Sequence, residues 1–156
     1  MISMMKVASA VALTAAALPA VAQPVELLTK VLVETRKPAA DGTTKIVLAP
    51  AARVVPGNRV VYQISYRNTG REPARDLVIA NPVPAGLVYS GAAAGSPEPE
   101  LSVDGKLFGP LARLSVRTAT GMRPATPADI RVVRWRLTNS VAPGASGQVS
   151  FRALVK

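Results

Sequence analysis

The chain has 156 residues, with 19 Lys and Arg against 9 Asp and Glu, a formal net charge of +10, and neither Cys nor His. A chain of this length fits one domain. The lack of Cys excludes disulfides, thiolate metal sites and cysteine nucleophiles, and the lack of His removes the commonest metal ligand and general base. Composition therefore favours a non-enzymatic protein with no catalytic residues, no bound metal and no cofactor.

Residues 1–22 have the pattern of a secretory signal peptide, which is removed on export. Lys6 makes the start positive, residues 7–18 are uncharged and apolar, and residues 20–22 give the small-x-small cleavage pattern. The apolar run is shorter than the about 20 residues that a membrane-spanning helix needs. We therefore expect cleavage after Ala22, a single mature domain over residues 23–156, no transmembrane segment after cleavage, and a periplasmic, cell-surface or secreted location.

The mature chain is predicted to consist of strands and turns. Residues 25–36 and 44–48 are rich in Val, Leu and Ile and flank a turn that contains Pro38 and Gly42. Residues 58–67 alternate apolar and mostly polar side chains, which is typical of a strand with one buried face. The predicted inward side chains of that strand are Val60, Tyr62, Ile64 and Tyr66.

Shorter strands are predicted at residues 77–80 and 87–89, and a hairpin at residues 101–108 with its turn at Asp104-Gly105. Residues 118–127 are predicted to be a loop, and Thr126 and Pro127 are suited to begin a single helical turn.

Residues 133–137 and 148–156 show alternating patterns again, with Trp135 and Phe151 on the inward sides. Strands of this length and spacing, with no helices to cross between them, predict an all-β, antiparallel sandwich of about seven to nine strands.

The strand and turn at residues 56–70, PGNRVVYQISYRNTG, resemble the signature strand of the conserved bacterial surface-repeat domain, also called domain of unknown function 11. The following LVIANPVPAGL at residues 77–87 and the closing pair at residues 133–137 and 142–155 resemble the same family. The resemblance covers residues 54–156, with an insertion-like stretch near residues 111–129. It implies an immunoglobulin-like fold and a cell-surface or secreted protein. The chain differs from the family's usual tandem arrangement by having one copy.

The basic excess is the one sequence feature that points to a binding surface. Five arginines fall at outward positions of predicted strands and would form a cationic face if those strands were neighbours: Arg59, Arg67, Arg134, Arg136 and Arg152. Guanidinium groups bind phosphate and carboxylate through paired hydrogen bonds. In a cell envelope the partners would be anionic polymers or other envelope proteins. Aromatic side chains do not interleave with these arginines, which argues against nucleic acid as the physiological target. A generally basic surface without a specific ligand is the simpler interpretation.

Other candidate groups have structural interpretations. Glu98, Glu100 and Asp104 form an acidic cluster that suits glycoside hydrolysis or Ca²⁺ binding, or a solvated loop. The aromatic side chains at inward positions suit a ligand groove or a sandwich core. The sequence leaves the oligomeric state open.

Two function classes follow. The first is an exported, non-enzymatic binding or interaction module of the cell envelope. The alternative is a structural subunit of a surface fibre, in which the apolar residues 25–33 leave their own domain and add a strand to a neighbour.

Overall fold

The structure is a computed structural model that describes residues 24–156. The predicted signal peptide, residues 1–22, lies outside the described residues. The described part contains ten strands and two single 3₁₀ turns, Leu111–Arg113 and Pro127–Asp129. The strands are β1 Val25–Pro38, β2 Thr44–Pro50, β3 Arg59–Asn68, β4 Val78–Pro82, β5 Leu87–Ala92, β6 Glu100–Ser102, β7 Ser115–Thr118, β8 Gly121–Pro124, β9 Val132–Arg136 and β10 Ser146–Val155.

Five strands form the larger sheet, in the order β2-β1-β3-β10-β5. β1 is long enough to use two partners in succession. Its first half pairs with β3 from Val25 opposite Asn68 to Val33 opposite Val60, and its second half pairs with β2 from Leu32 onward. β10 pairs with the other edge of β3 and places Phe151 opposite Tyr62.

Two smaller sheets complete the fold. β9 lies between β4 and β6 in a three-stranded sheet, and β7 pairs with β8 in a two-stranded hairpin. Every strand pairing in residues 24–156 is antiparallel. The prediction of an all-β, antiparallel fold is therefore confirmed.

The larger sheet and the three-stranded sheet contribute side chains to one hydrophobic core. Phe151 of β10 is fully buried and contacts aromatic rings from both sheets: Tyr62 at 5.0 Å, Tyr89 at 6.2 Å and Trp135 at 6.3 Å between ring centroids. Gly147 lies against the Tyr66 ring, where an added Cβ would overlap the ring. The aromatic side chains predicted at inward positions are thus core or core-packed residues.

Asn68, the last residue of β3, is fully buried and satisfies three backbone groups with its side chain. Its Nδ2 donates to the carbonyls of Glu72 and Val141, each at 2.8 Å, and its Oδ1 accepts from the Gly70 amide at 2.9 Å. This residue joins the end of β3 to the turn that follows and to the segment that leads into β10.

Two local predictions need correction. The predicted loop at residues 118–127 includes β8, which pairs with β7, a strand that was also not predicted; the described residues contain ten strands against the predicted number of about seven to nine. The predicted hairpin at residues 101–108 closes through a single bridge between Leu101 and Gly109, whereas β6 pairs with β9. The helical turn predicted at Thr126 and Pro127 is present as the second 3₁₀ turn.

Candidate functional site

The structure divides the five predicted surface arginines between two sheets. Arg59 and Arg67 lie on β3 and Arg152 on β10, on the face of the larger sheet opposite to the core. We call this the outer face. Arg134 and Arg136 lie on β9 in the three-stranded sheet. The predicted cationic face required all these strands to be neighbours, and they are not.

Arg59 and Arg152 do come together at one end of the outer face. A depression of about 190 Å³ is lined by both arginines together with Ser90 and Leu154. A second depression, of about 230 Å³, shares Arg59 and adds Arg36 from β1, with Glu34, Ile46, Gly57 and Asn58. We call Arg36, Arg59 and Arg152 the arginine end.

Arg36 was not among the predicted site residues. The period of two along β1 places it on the same face as Glu34, opposite to Val33 in the core. Its proximity to Arg59 depends on the pairing of β1 with β3, which is a contact between distant parts of the chain. The alternation in residues 25–36 was the available signal. It indicates which face of β1 carries Arg36, but it does not indicate that Arg59 lies nearby.

Arg152 is the most firmly held member of the arginine end. Its Nε donates to the Ala92 carbonyl at 3.2 Å, and the residue is half-buried. Val61, its cross-strand neighbour on the outer face, is only 3% exposed.

Burial raises the pKa of Tyr89 to about 12, and the negative charge of Glu98 adds to that effect, while the positive charge of Arg152 opposes it.

The β9 arginines already have partners. Arg134 donates from Nε to Glu100 Oε2 at 2.8 Å, and its guanidinium lies 3.7 Å from the centre of the Phe108 ring. Arg136 reaches the same Glu100 oxygen at 3.5 Å. One carboxylate therefore lies between two guanidinium groups, which reduces their availability to an external anion.

Arg67 lies at the far end of β3 from Arg59. Its cross-strand neighbours are Glu26 on β1 and Ser146 on β10. All three line a groove of about 530 Å³ whose other lining residues are mostly apolar: Leu27, Leu28, Ser65 and Tyr66. Arg67 therefore has a carboxylate neighbour and is separated from the arginine end by the length of the strand.

The three residues of the predicted acidic cluster have separate environments. Glu100 forms ion pairs with the β9 arginines, and the negative charge of Glu98 raises the pKa of the buried Tyr89. Asp104 Oδ1 accepts from the amides of Lys106 and Leu107, at 2.8 and 3.0 Å, and these bonds lower its pKa. Within residues 24–156 no three carboxylates are close enough together to hold a metal ion.

The 3₁₀ turn near β8 contains the best-bonded carboxylate of the described chain. Asp129 accepts from both terminal nitrogens of Arg123, at 2.7 and 2.8 Å, and from the amide and hydroxyl of Thr126. The hydrogen bonds from Arg123, followed by those from Thr126, hold the pKa of Asp129 well below its usual range. This pair fixes the β7–β8 hairpin and leaves no free acid there.

Comparisons of the chain with protein-family models, curated proteins and solved structures find no match. Across residues 24–156 no helix has the length and apolar character to cross a membrane. The arginine end is therefore the candidate site on geometry alone.

Proposed function

We propose that this protein is an exported, non-enzymatic binding module of the cell envelope that holds anionic polymers at the arginine end. The observation that carries the proposal is the convergence of Arg36, Arg59 and Arg152 from three strands of one sheet. Glu34 is the carboxylate that lines the same surface. A rigid sheet that presents several guanidinium groups suits repeated phosphate, sulfate or carboxylate groups, because each fork can form paired hydrogen bonds.

We also propose that the domain, residues 23–156, is an immunoglobulin-like sandwich of the surface-repeat type. A single core that draws on the larger and the three-stranded sheet supports a sandwich. The sequence pattern of residues 56–70 supports the family. The structure explains why Asn occupies position 68 of this pattern. Only an amide side chain can both donate to two carbonyls and accept from a backbone amide here.

Export is proposed from residues 1–22. The test is N-terminal sequencing of the protein purified from cells that express the full chain. A start at Gln23 supports export by this signal, and an intact Met1 in the cytoplasm contradicts it.

Anion binding is tested with lipopolysaccharide, an acidic polysaccharide and a DNA oligonucleotide, each titrated over a series of salt concentrations. We expect saturable binding that weakens as salt increases, because ion contacts are screened. The double variant Arg36→Gln, Arg59→Gln should weaken binding by about thirtyfold, since two charge-assisted contacts at a surface, each on the order of 1 kcal/mol, are lost.

The control is Arg53→Gln, Arg117→Gln, which removes the same charge from two other exposed positions. We expect less than about a twofold change for this pair, as for surface changes away from a site. Equal weakening by both double variants would show attraction to the net charge alone and would overturn the assignment of the site. DNA bound more tightly than either envelope polymer would overturn the assignment of the ligand.

The fibre alternative stays a prediction. Strand exchange would require β1 to leave β3, with which it pairs from Val25 to Val33, and also β2. Val33 belongs to the core, so the exchange would also open the core of the donor domain. These costs favour the binding module.

A further inference from the structure

The first half of β1 has one edge without a strand partner in the described chain. β3 pairs with one edge of β1 from Val25 to Val33, whereas β2 reaches the other edge only at Leu32. Val31 marks the limit of the open stretch, because its carbonyl accepts from the Ala51 amide. At the other end, the Pro24 carbonyl faces β3 and accepts from the Thr69 amide, so Val25 is the first residue whose amide and carbonyl face the open edge.

The orientation of Val31 identifies which backbone groups are open. Along a strand, successive residues direct their amide and carbonyl groups to alternate sides. Because the Val31 carbonyl faces the β2 side, the amides and carbonyls of Leu27 and Thr29 face the same side, where residues 24–156 supply no strand. An open edge of this kind can pair with another chain unless its side chains prevent it.

The side chains at this edge favour pairing. Leu27 and Leu28 are 52% and 57% exposed, which is unusual for two consecutive leucines at a sheet edge. Glu26 and Lys30 lie on the outer face together with Leu28, two residues before it and two residues after it. The stretch thus has an apolar centre and one charge of each sign at its ends.

We propose that this protein forms a two-fold symmetric dimer in which the open edges of β1 from two copies pair antiparallel about Leu28. In this register Leu28 faces Leu28 of the other copy, and Glu26 of each copy faces Lys30 of the other. Leu27 faces Thr29, which gives about four main-chain hydrogen bonds between the copies. The two larger sheets become one continuous sheet.

The proposed register follows from the position of the open stretch and from the charges near its ends, once the two copies are related by a two-fold axis. The open stretch between Pro24 and Val31 is centred near Leu28. An antiparallel pair related by a two-fold axis places residues at equal distance from the centre opposite each other, so centring on Leu28 matches Glu26 with Lys30. Opposite charges across two strands stabilise a pair, and like charges destabilise it.

The other edge strand of this sheet, β2, lacks these features. It carries Lys45 and no carboxylate, and it ends at Pro50, which has no amide hydrogen to donate. Its exposed apolar side chains, Ile46 and Leu48, lie on a strand whose self-pairing would bring no opposite charges together. β2 therefore serves as the control edge.

The dimer does not rest on the proposed anion binding, because the open edge and the arginine end lie at opposite ends of β1. The paired segments are short, so the interface belongs to the size class of weak, reversible complexes. Sedimentation of the protein purified from cells that express the full chain, over a wide concentration range, should therefore show a monomer–dimer equilibrium.

Cross-linking tests the register directly, because the natural chain has no Cys. In the proposed dimer Leu28 and its counterpart form a pair without hydrogen bonds between them, where Cα atoms lie about 4.5 Å apart, within the range that a disulfide spans. Leu28→Cys should form a disulfide-linked dimer under mild oxidation, and Ile46→Cys on β2 should not.

Charge reversal supplies a second, independent test. Lys30→Glu places two carboxylates opposite each other twice in the dimer and should raise its dissociation constant by about tenfold or more. Adding Glu26→Lys should restore dimerisation, because the opposite charges return in exchanged positions. Glu26 also faces Arg67 within the chain, so Lys30→Glu alone is the cleaner single change. Lys45→Glu, at an exposed position on the control edge β2, makes the same charge change and should leave dimerisation unchanged.

Three results would overturn the proposal: a monomer at all concentrations with no Leu28→Cys dimer, equal cross-linking by Ile46→Cys, or a Lys30→Glu variant that dimerises as well as the natural chain. Assemblies larger than a dimer in sedimentation would indicate strand exchange and would likewise contradict the proposal.

Discussion

Replacing Asn68 by Ala tests the role given to the buried residue at the end of β3. The substitution removes the donor to the Glu72 and Val141 carbonyls and the acceptor for the Gly70 amide. The β-strand itself needs none of these bonds, so the change acts on the junction between β3 and the segment leading to β10.

The cost can be estimated from the burial of the three partners. The bond to the Val141 carbonyl is fully buried, but this carbonyl also accepts from the Ala74 amide at 2.8 Å, so Asn68→Ala removes one of its two hydrogen bonds at a cost of about 1 kcal/mol. The bonds to Glu72 and Gly70 are partly buried, where water can replace the amide, and each contributes about 0.5 to 1 kcal/mol. We therefore expect Asn68→Ala to lower the free energy of unfolding by about 2 kcal/mol, equivalent to a fall in Tm of about 7 °C.

Urea unfolding followed by Trp fluorescence measures this effect, because Trp135 is the only Trp in the chain and is 2% exposed. Asn139→Ala, at an exposed position, is the matched control and should change the free energy of unfolding by less than about 0.5 kcal/mol. A loss below about 1 kcal/mol for Asn68→Ala would refute the anchoring role, since water would then satisfy all three groups at little cost.

Two further predictions concern ionisable groups. Asp104→Ala should lower Tm near neutral pH, and Asp104→Asn should keep Tm close to that of the natural chain. Because hydrogen bonds lower the pKa of Asp104, the difference in Tm between Asp104→Ala and the natural chain should shrink as the pH falls below the usual Asp range. A difference in Tm that does not depend on pH would contradict this. Tyr89 should ionise only near pH 12, and Tyr89→Phe should remove that component from a tyrosinate absorbance titration. The raised pKa of Tyr89 adds stability below about pH 10, and this stability is lost as the pH rises toward 12.

The strands that alternate cleanly could be predicted from the sequence. Residues 58–67 and 148–156 have one apolar side chain at every second position, and the structure places β3 and β10 there as neighbours in the larger sheet. The turn at Thr126 was predictable for a different reason, because Thr, Pro and Asp at successive capping positions satisfy local groups without help from the rest of the chain.

β8, the second strand of the β7–β8 hairpin, was missed because its residues carry no burial pattern. All four residues of β8 are exposed, so apolar alternation is absent there. The hairpin is held by main-chain pairing and by the Arg123–Asp129 ion pair, neither of which the pattern of apolar residues reveals.

The candidate site could also be predicted only in part, because local sequence patterns do not show which distant strands pair. Alternation correctly placed Arg59 and Arg152 on the side of their strands away from the core, yet it could not tell which strands share a sheet. Arg134 lies in the three-stranded sheet, because β9 pairs with β4 and β6. Strand pairing between distant segments decided which arginines meet, and it also brought Arg36 into the site.

The most direct test of the proposed function is an NMR titration of the isotope-labelled protein with lipopolysaccharide fragments, observed through backbone amide and arginine Nε–H signals. Anion binding at the arginine end predicts saturable shifts centred on Arg36, Arg59, Arg152 and their neighbours in β1, β3 and β10, all reversed by added salt. Shifts centred on the Arg134–Glu100 pair of β9, or small shifts spread over every exposed arginine, would contradict it.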